Sequence, residues 1–166
     1  MKSKISLIAA MSENQVIGRN NRLPWNMPAD HEHFRKITKG KPFIMGRNSY
    51  LSEDVLLSDY KSVILSHKKD FIPPKDCFLA ISIENAFDLL RDEPEIFVLG
   101  GEQVFRQIIK AAEYIYLTII HAHINGDAYF PVISNNEWEE VNRVFNHHNN
   151  DNSFNFTFVE YQRKKE

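Results

Sequence analysis

Residues 95–112, EIFVLGGEQVFRQIIKAA, decide the fold. Ile96 to Leu99 are continuously apolar, as a strand buried on both faces requires. Gly100 and Gly101 then turn the chain, and a helical pattern follows from Glu102 to about Ala112. Strand, tight turn and helix make the unit from which parallel sheets are assembled. Working outward, the same alternation recurs. ISLIAAM (5–11) reads as a strand, PADHEHFRKIT (28–38) as a helix and PFIMG (42–46) as a strand, followed by a short helical or irregular stretch from Arg47. SVILS (62–66) and CFLAI (77–81) read as strands and IENAFDLLRD (83–92) as a helix. Beyond residue 113 the pattern changes: YIYLTIIHAHI (114–124), EWEEVNRVFN (137–146) and FNFTFVEYQ (154–162) are strands without helices between them, which predicts an antiparallel edge. The polar HHNNDNS (147–153) reads as the loop of a hairpin. The expected fold class is α/β, one domain over residues 1–166, with a mostly parallel central sheet and an antiparallel C-terminal edge.

Composition narrows the function. With 43% hydrophobic and 25% charged residues, the chain is that of an ordinary globular protein. A net charge of -2 gives no reason to expect a nucleic-acid partner. One cysteine, Cys77, cannot form an internal disulfide, which fits a reducing compartment, and it reads as a small core residue of a strand. The N-terminal apolar run is too short to span a membrane and reads better as a first strand than as a secretory signal. A cytoplasmic monomer acting on a small molecule is expected, with neither nucleic acid nor membrane as partner. The connection from Ser12 to Met27 is long for a compact domain, and such loops often serve as lids.

The chemistry gathers at strand ends, where open parallel sheets bind ligands. Asp30 stands in the first turn of the first helix, after Pro24, Trp25 and Pro28 and one turn before Phe34. Residues four apart share a helix face, so an acid and an aromatic ring point together. That pairing suits a flat nitrogen-rich heterocycle, which stacks on the ring and donates N–H bonds to the acid; an acid that merely favours the helix N-terminus is the alternative. Three strand ends carry phosphate-binding groups. Gly100-Gly101-Glu102 offers close backbone approach and a helix N-terminus. Gly46-Arg47-Asn48-Ser49 adds a guanidinium and a hydroxyl, and Ser66-His67-Lys68-Lys69 adds a basic cluster. A dinucleotide fits best, and its 2′-phosphorylated form better than the plain one, because cationic side chains hold the extra phosphate. The Gly-x-Gly-x-x-Gly fingerprint of a Rossmann site is absent. Thr118, within an apolar strand, is placed to orient Asp30 if that strand lies behind the first helix. His121 and His123 alternate along the same expected strand, but no further ligands make a metal site of them. Trp138 reads as an aromatic anchor of the C-terminal hairpin.

With these residues assembled, the chain resembles the bacterial dihydrofolate reductases over essentially its whole length. The most specific pieces are ISLIAAM, VIGRNNRLPWNMPAD with Phe34, KPFIMGR, VILS, EIFVLGGEQVF, YLTII and GDAYFP. The resemblance implies an eight-stranded sheet flanked by four helices, NADPH as hydride donor and 7,8-dihydrofolate as acceptor. By position it makes Asp30 the pocket acid, Trp25 the holder of a water beside it and Thr118 its partner. Ile8, Ala9, Leu23, Phe34 and Leu99 would wall the pterin. Ala10, Val16, Ile17 and the loop Gly18, Arg19, Asn20, Asn21, Arg22 would lie against the nicotinamide half. Gly46, Arg47, Asn48, Ser49, Leu65, Ser66 and His67 would hold the adenosine end. Gly100, Gly101, Glu102, Gln103, Val104 and Phe105 would hold the pyrophosphate, with a cis bond between the two glycines. Asp127 would brace the lid.

The chain departs from the family's pattern at the site for the substrate's glutamate tail. Tyr60 stands where an arginine normally clamps the tail carboxylate, and the adjacent Lys61 would face the other way in an extended segment. Glu53-Asp54-Val55-Leu56-Leu57 replaces the usual Ile-Gly-Arg-Pro-Leu, and His31 replaces a leucine at the pocket lip. An arginine–carboxylate clamp contributes about 1.5–3 kcal/mol, so its loss weakens binding roughly ten- to a hundredfold. Arg35, one turn from His31, is the candidate replacement. Two alternatives therefore stand beside dihydrofolate reduction: a reductase of a tail-less dihydropterin or related pyrimidine, and a non-catalytic protein that binds NADPH or a pterin.

Overall fold

The computed structural model describes residues 2–68 and 71–166; Lys69, one of the expected basic cluster, lies outside them. Ten strands and four helices follow in the order β1 (Lys4–Ser12), β2 (Val16–Gly18), α1 (Pro28–Thr38), β3 (Phe43–Gly46), α2 (Arg47–Leu51), β4 (Ser62–Leu65), β5 (Cys77–Ala80), α3 (Ile83–Leu89), β6 (Glu95–Val98), α4 (Glu102–Ile108), β7 (Tyr114–Ile120), β8 (Ala128–Tyr129), β9 (Trp138–Asn146) and β10 (Phe156–Arg163). Eight strands form one sheet in the order β5-β4-β3-β6-β1-β7-β10-β9. All pairings from β5 to β7 are parallel; β10 pairs antiparallel with both β7 and β9. The antiparallel edge predicted from the helix-free sequence is thus present.

Why these strands pack is visible in their composition. Leu7, Ile44, Val63, Ile64, Ile96 and Val98 are fully buried because helices cover both faces of the parallel part. β9 is the opposite: Trp138 is buried at its start, and the residues that follow are exposed along an edge strand. Trp138 anchors that hairpin, with the Arg163 guanidinium 4.4 Å above its ring. Cys77 is buried at the start of β5, and burial pushes its thiol up, which suits a packing role.

Three expectations need correction. The long connection from Ser12 to Met27 is not wholly irregular, since β2 pairs with β8 in a separate two-stranded sheet. Gly126 permits that pairing: a Cβ there would lie 2.3 Å from Val16 Cγ1 and 2.6 Å from the Gly18 carbonyl oxygen. α4 ends at Ile108 rather than Ala112, closing in a turn in which the Ala111 N–H bonds the Ile108 carbonyl at 2.8 Å. β7 stops at Ile120, so His121 and His123 do not alternate along it. The chain bends because the Ala122 N–H bonds back to Ile120 O at 2.8 Å, and His121 pairs instead with Asn155 O and with Thr157 Oγ1.

Candidate active site

Sheet order places the site. β1 lies in the interior of the sheet, parallel to both β6 and β7, and the cleft opens beyond the carboxyl ends of these strands. The cleft there has a free volume of about 1170 Å³, its open mouth included. Ile8, Ala9 and Ala10 form its floor, Asp30 and Phe34 one wall, and Leu23 the underside of the lid. Leu99, Gly101, Glu102 and Phe105 come from the Gly-Gly turn, while Ile17, Gly18, Asn21 and Arg22 come from the lid.

Asp30 reaches the cleft because Pro28 opens α1 and Met27 O accepts the Asp30 N–H at 3.0 Å, fixing the first turn. The Thr118 hydroxyl donates to Asp30 Oδ1 at 2.6 Å. Thr118 is itself 3% exposed on β7, so water does not compete for that bond. Burial raises the Asp30 carboxyl above its ordinary value, while the Thr118 hydrogen bond and the charge of His31 act in the opposite direction. An acid with a raised proton affinity in an apolar cleft is the pattern of a functional carboxyl.

Around this pair the side chains are aromatic or apolar. Phe34 packs edge-on against Phe43, with ring centroids 5.5 Å apart. Trp25 is buried, and its indole Nε1 has no protein partner among the described residues. Such a buried donor is expected to meet a water or ligand. Tyr116, two residues before Thr118 and on the same face of β7, also lines the cleft. Burial foremost, aided by the nearby charges of Glu95 and Glu160, pushes its phenol up to about 12, so it acts as a neutral hydroxyl.

β3 ends in Gly46, which meets Gly100, two residues past the end of β6. The Gly46 N–H donates to Gly100 O at 2.7 Å, and the Gly100–Gly101 peptide is cis. A Cβ on Gly46 would stand 3.1 Å from Val104 Cγ2, and one on Gly101 would stand 3.4 Å from Ser49 Oγ. The crevice is therefore walled by bare backbone, which phosphates approach closely. Arg47 opens α2 next to it; its Nε is buried without a partner among the described residues, and its guanidinium lies 5.7 Å over the Phe71 ring. These groups fit a phosphorylated dinucleotide.

Not every expected residue faces the cleft. Trp25 and Val16 are buried but do not line it, and Arg19, Asn20, Asn48, His67 and Gln103 are exposed outside it. Gly46, Leu65, Ser66 and Gly100 sit at or just beyond strand ends, Arg47 opens α2 and Val104 lies within α4; none of the six lines the cleft. Missed by the sequence reading were Met45, Ser52, His33, Tyr116 and Ala128. Two of these were legible from period: Met45 and Tyr116 lie on strands already identified, and Tyr116 shares a face with Thr118. His33 stacks on Phe158 at 3.6 Å, and burial lowers its pKa. At the tail region, Tyr60 does not line the cleft: its hydroxyl bonds Glu93 Oε1 at 2.9 Å, and Lys61 Nζ bonds the same oxygen at 2.6 Å. Arg35 is exposed on α1.

Among the described residues no group of three His, Cys, Asp or Glu side chains is arranged to hold a metal. None of the helices described is long and apolar enough to cross a membrane. Fold and cleft thus define an α/β enzyme with one acid at the base of an apolar cleft and a glycine-walled crevice beside it. The family model for dihydrofolate reductase matches residues 4–163. The dihydrofolate reductase of Staphylococcus haemolyticus is 39% identical over 160 residues, 96% of each chain. That of Bacillus subtilis is 32% identical over 160 residues, 96% of this chain and 95% of the other. A dihydrofolate reductase from Enterococcus faecalis, solved with NADP(H) and RAB-propyl, superimposes with a TM-score of 0.89 at 25% identity and 99% coverage of both chains. The chain belongs to the dihydrofolate reductase family, and its enzyme class is oxidoreductase.

Proposed function

We propose that this chain reduces 7,8-dihydrofolate to 5,6,7,8-tetrahydrofolate with NADPH, using Asp30 as the pocket acid. The observation that carries the proposal is the Asp30–Thr118 pair at the base of an apolar cleft. Ionised Asp30 accepts N–H bonds from the pterin's amino group and ring nitrogen, which orients the ring and draws electron density across it. Thr118 occupies one lone pair of Oδ1 and so holds the carboxylate plane. Phe34, Ile8 and Leu99 give the ring its apolar faces. Trp25 offers its free indole N–H to a water beside the acid, the route by which N5 gains its proton. NADPH, when bound, supplies the hydride. The strand-end glycines and Ser49 would hold its pyrophosphate, and Arg47 with Ser66 and His67 its adenosine 2′-phosphate. Lid residues Leu23 and Ile17 close the cleft over the reacting rings and exclude water. The enzyme works as a cytoplasmic monomer on a small-molecule substrate.

A second substrate reading has its own support. Tyr60 and Lys61 are both committed to Glu93, and Glu53 to Arg22, so neither segment presents an unpaired cation to a tail carboxylate. A tail-less dihydropterin would lose nothing by this. NADPH oxidation followed by absorbance, with dihydrofolate and a tail-less dihydropterin in parallel, separates the two. Preference for dihydrofolate supports the first reading, and equal or better use of the tail-less substrate supports the second. NADPH binding without turnover of either would mean a binding protein.

A further inference from the structure

The tip of the lid is a small hairpin. Asn20 and Asn21 both have positive φ, and Arg19 and Arg22 exchange backbone hydrogen bonds of 2.9 and 3.0 Å around them. Asparagine tolerates this left-handed conformation better than most residues, and two in succession give the primed turn that closes tight hairpins. One flank is held by Asp127, whose Oδ2 accepts the Asn20 N–H at 3.0 Å. The other flank crosses the mouth of the cleft. The Arg22 guanidinium meets the Glu53 carboxylate, and the Leu23 N–H donates to Asp54 Oδ2 at 2.8 Å. The receiving side is braced as well. Ser52 Oγ accepts the Asp54 N–H at 3.2 Å, and the Ser52 N–H bonds Ser49 O at 3.3 Å, so both acids stand on a turn rooted in the end of α2.

We propose that Glu53 and Asp54 are positioning residues that clasp Arg22 and Leu23 across the cleft and set the rate at which bound ligand escapes. Adjacent acids on a loop are commonly no more than a solvated surface. Here each has its own donor on the opposite wall, one a side chain and the other a backbone amide. An open cleft must release both together, so the contacts act as one latch. Their physics differs. Arg22 and Glu53 side chains are 56% and 73% exposed, so salt screens that half. The Leu23–Asp54 bond is charge-assisted and directional, and it sets the register of the closed lid. Ligand escape from this cleft therefore becomes sensitive to ionic strength.

The functional reading enters only in naming NADPH as the probe. Amide hydrogen exchange on the ligand-free chain compares wild type with Glu53→Gln and Asp54→Ala across residues 18–25. The Arg19 and Arg22 amides bond each other's carbonyls and not Glu53, yet a latch requires Glu53→Gln to speed their exchange about two- to fivefold. NADPH dissociation, followed by stopped-flow fluorescence with a trap, should accelerate about two- to fivefold in Glu53→Gln and further in Glu53→Lys. Wild-type dissociation should quicken as salt rises from about 20 mM to about 500 mM, and Glu53→Gln should show a smaller dependence, keeping only the part due to the phosphate contacts. Unchanged lid exchange, or a Glu53→Gln variant that keeps the wild-type salt dependence, would overturn the proposal. If NADPH does not bind, the functional reading fails and the exchange comparison alone decides the clasp.

Discussion

Replacing Thr118 with valine removes one hydroxyl while keeping the shape of the side chain, and it isolates what that hydroxyl does for Asp30. The bond is short, 2.6 Å, and its donor is 3% exposed, so water does not replace it. A hydrogen bond to a charged acceptor contributes about 1.5–3 kcal/mol. Nearly all of this favours ionised Asp30, because the protonated carboxyl gains little from an O–H donor. Loss of the bond should therefore disfavour the ionised form by a factor of about ten to a hundred. The sign is fixed: Thr118 opposes the upward push of burial, so Thr118→Val must move the titration of Asp30 to higher pH than in wild type. The assay is a carbon-13 NMR titration of the labelled Asp30 carboxyl, paired with kcat/KM across pH. The acid limb of kcat/KM should move in the same direction as the carboxyl midpoint. A midpoint that stays in place, or moves down, would refute the assignment of Thr118 as the group that holds Asp30 ionised.

Asp30→Asn should retain NADPH binding in a fluorescence titration yet lose about a hundredfold or more in turnover at neutral pH, since the pterin N–H groups then face a neutral acceptor. Its stability should move the other way. Because the folded-state pKa of Asp30 is raised, the wild type's burden of burying charge appears as pH climbs from the unfolded carboxylate range through the folded value. The variant's higher denaturation midpoint at neutral pH should therefore shrink on acidification. Gly100→Ala would place a Cβ 2.6 Å from the Phe105 ring at a φ of +101°, so it should cost about 1–3 kcal/mol in urea unfolding and weaken NADPH binding. Tyr60→Arg combined with Glu93→Gln, which frees the new guanidinium from its acid neighbour, should lower KM for dihydrofolate about ten- to a hundredfold and leave a tail-less dihydropterin unaffected.

The parallel sheet could be read from EIFVLGG and its like because two-sided burial demands continuous apolar strands, and the antiparallel edge could be read from the missing crossover helices. Asp30 and Thr118 are 88 residues apart, but each carries a local anomaly, an acid beside an aromatic and a hydroxyl in an apolar strand, and these pointed to a common site. β2 and β8 escaped because strands of three and two residues are too short to show a period. Their pairing depends on the missing side chain of Gly126. The end of β7 was misjudged because HAHI continues the strand's alternation, while a bend that hands the His121 N–H to Asn155 ends it. The partners of Glu53 and Tyr60 were illegible for a different reason. Nothing in a loop's composition says which wall it will face.

The ladder around Thr118 also decides what a selective inhibitor of this enzyme would have to touch. Thr118 is paired across the sheet with Ala10 on β1 and with Phe158 on β10, and Phe158 carries the stacked His33. A compound anchored on Asp30 inherits that fixed geometry and will find it in any chain with the same ladder. The rim is another matter, since Arg22, Glu53 and Asp54 offer charges to a substituent leaving the cleft. A cationic arm extended toward Glu53 would compete with Arg22 for its carboxylate, so potency would come from the shared floor and discrimination from the rebuilt lip.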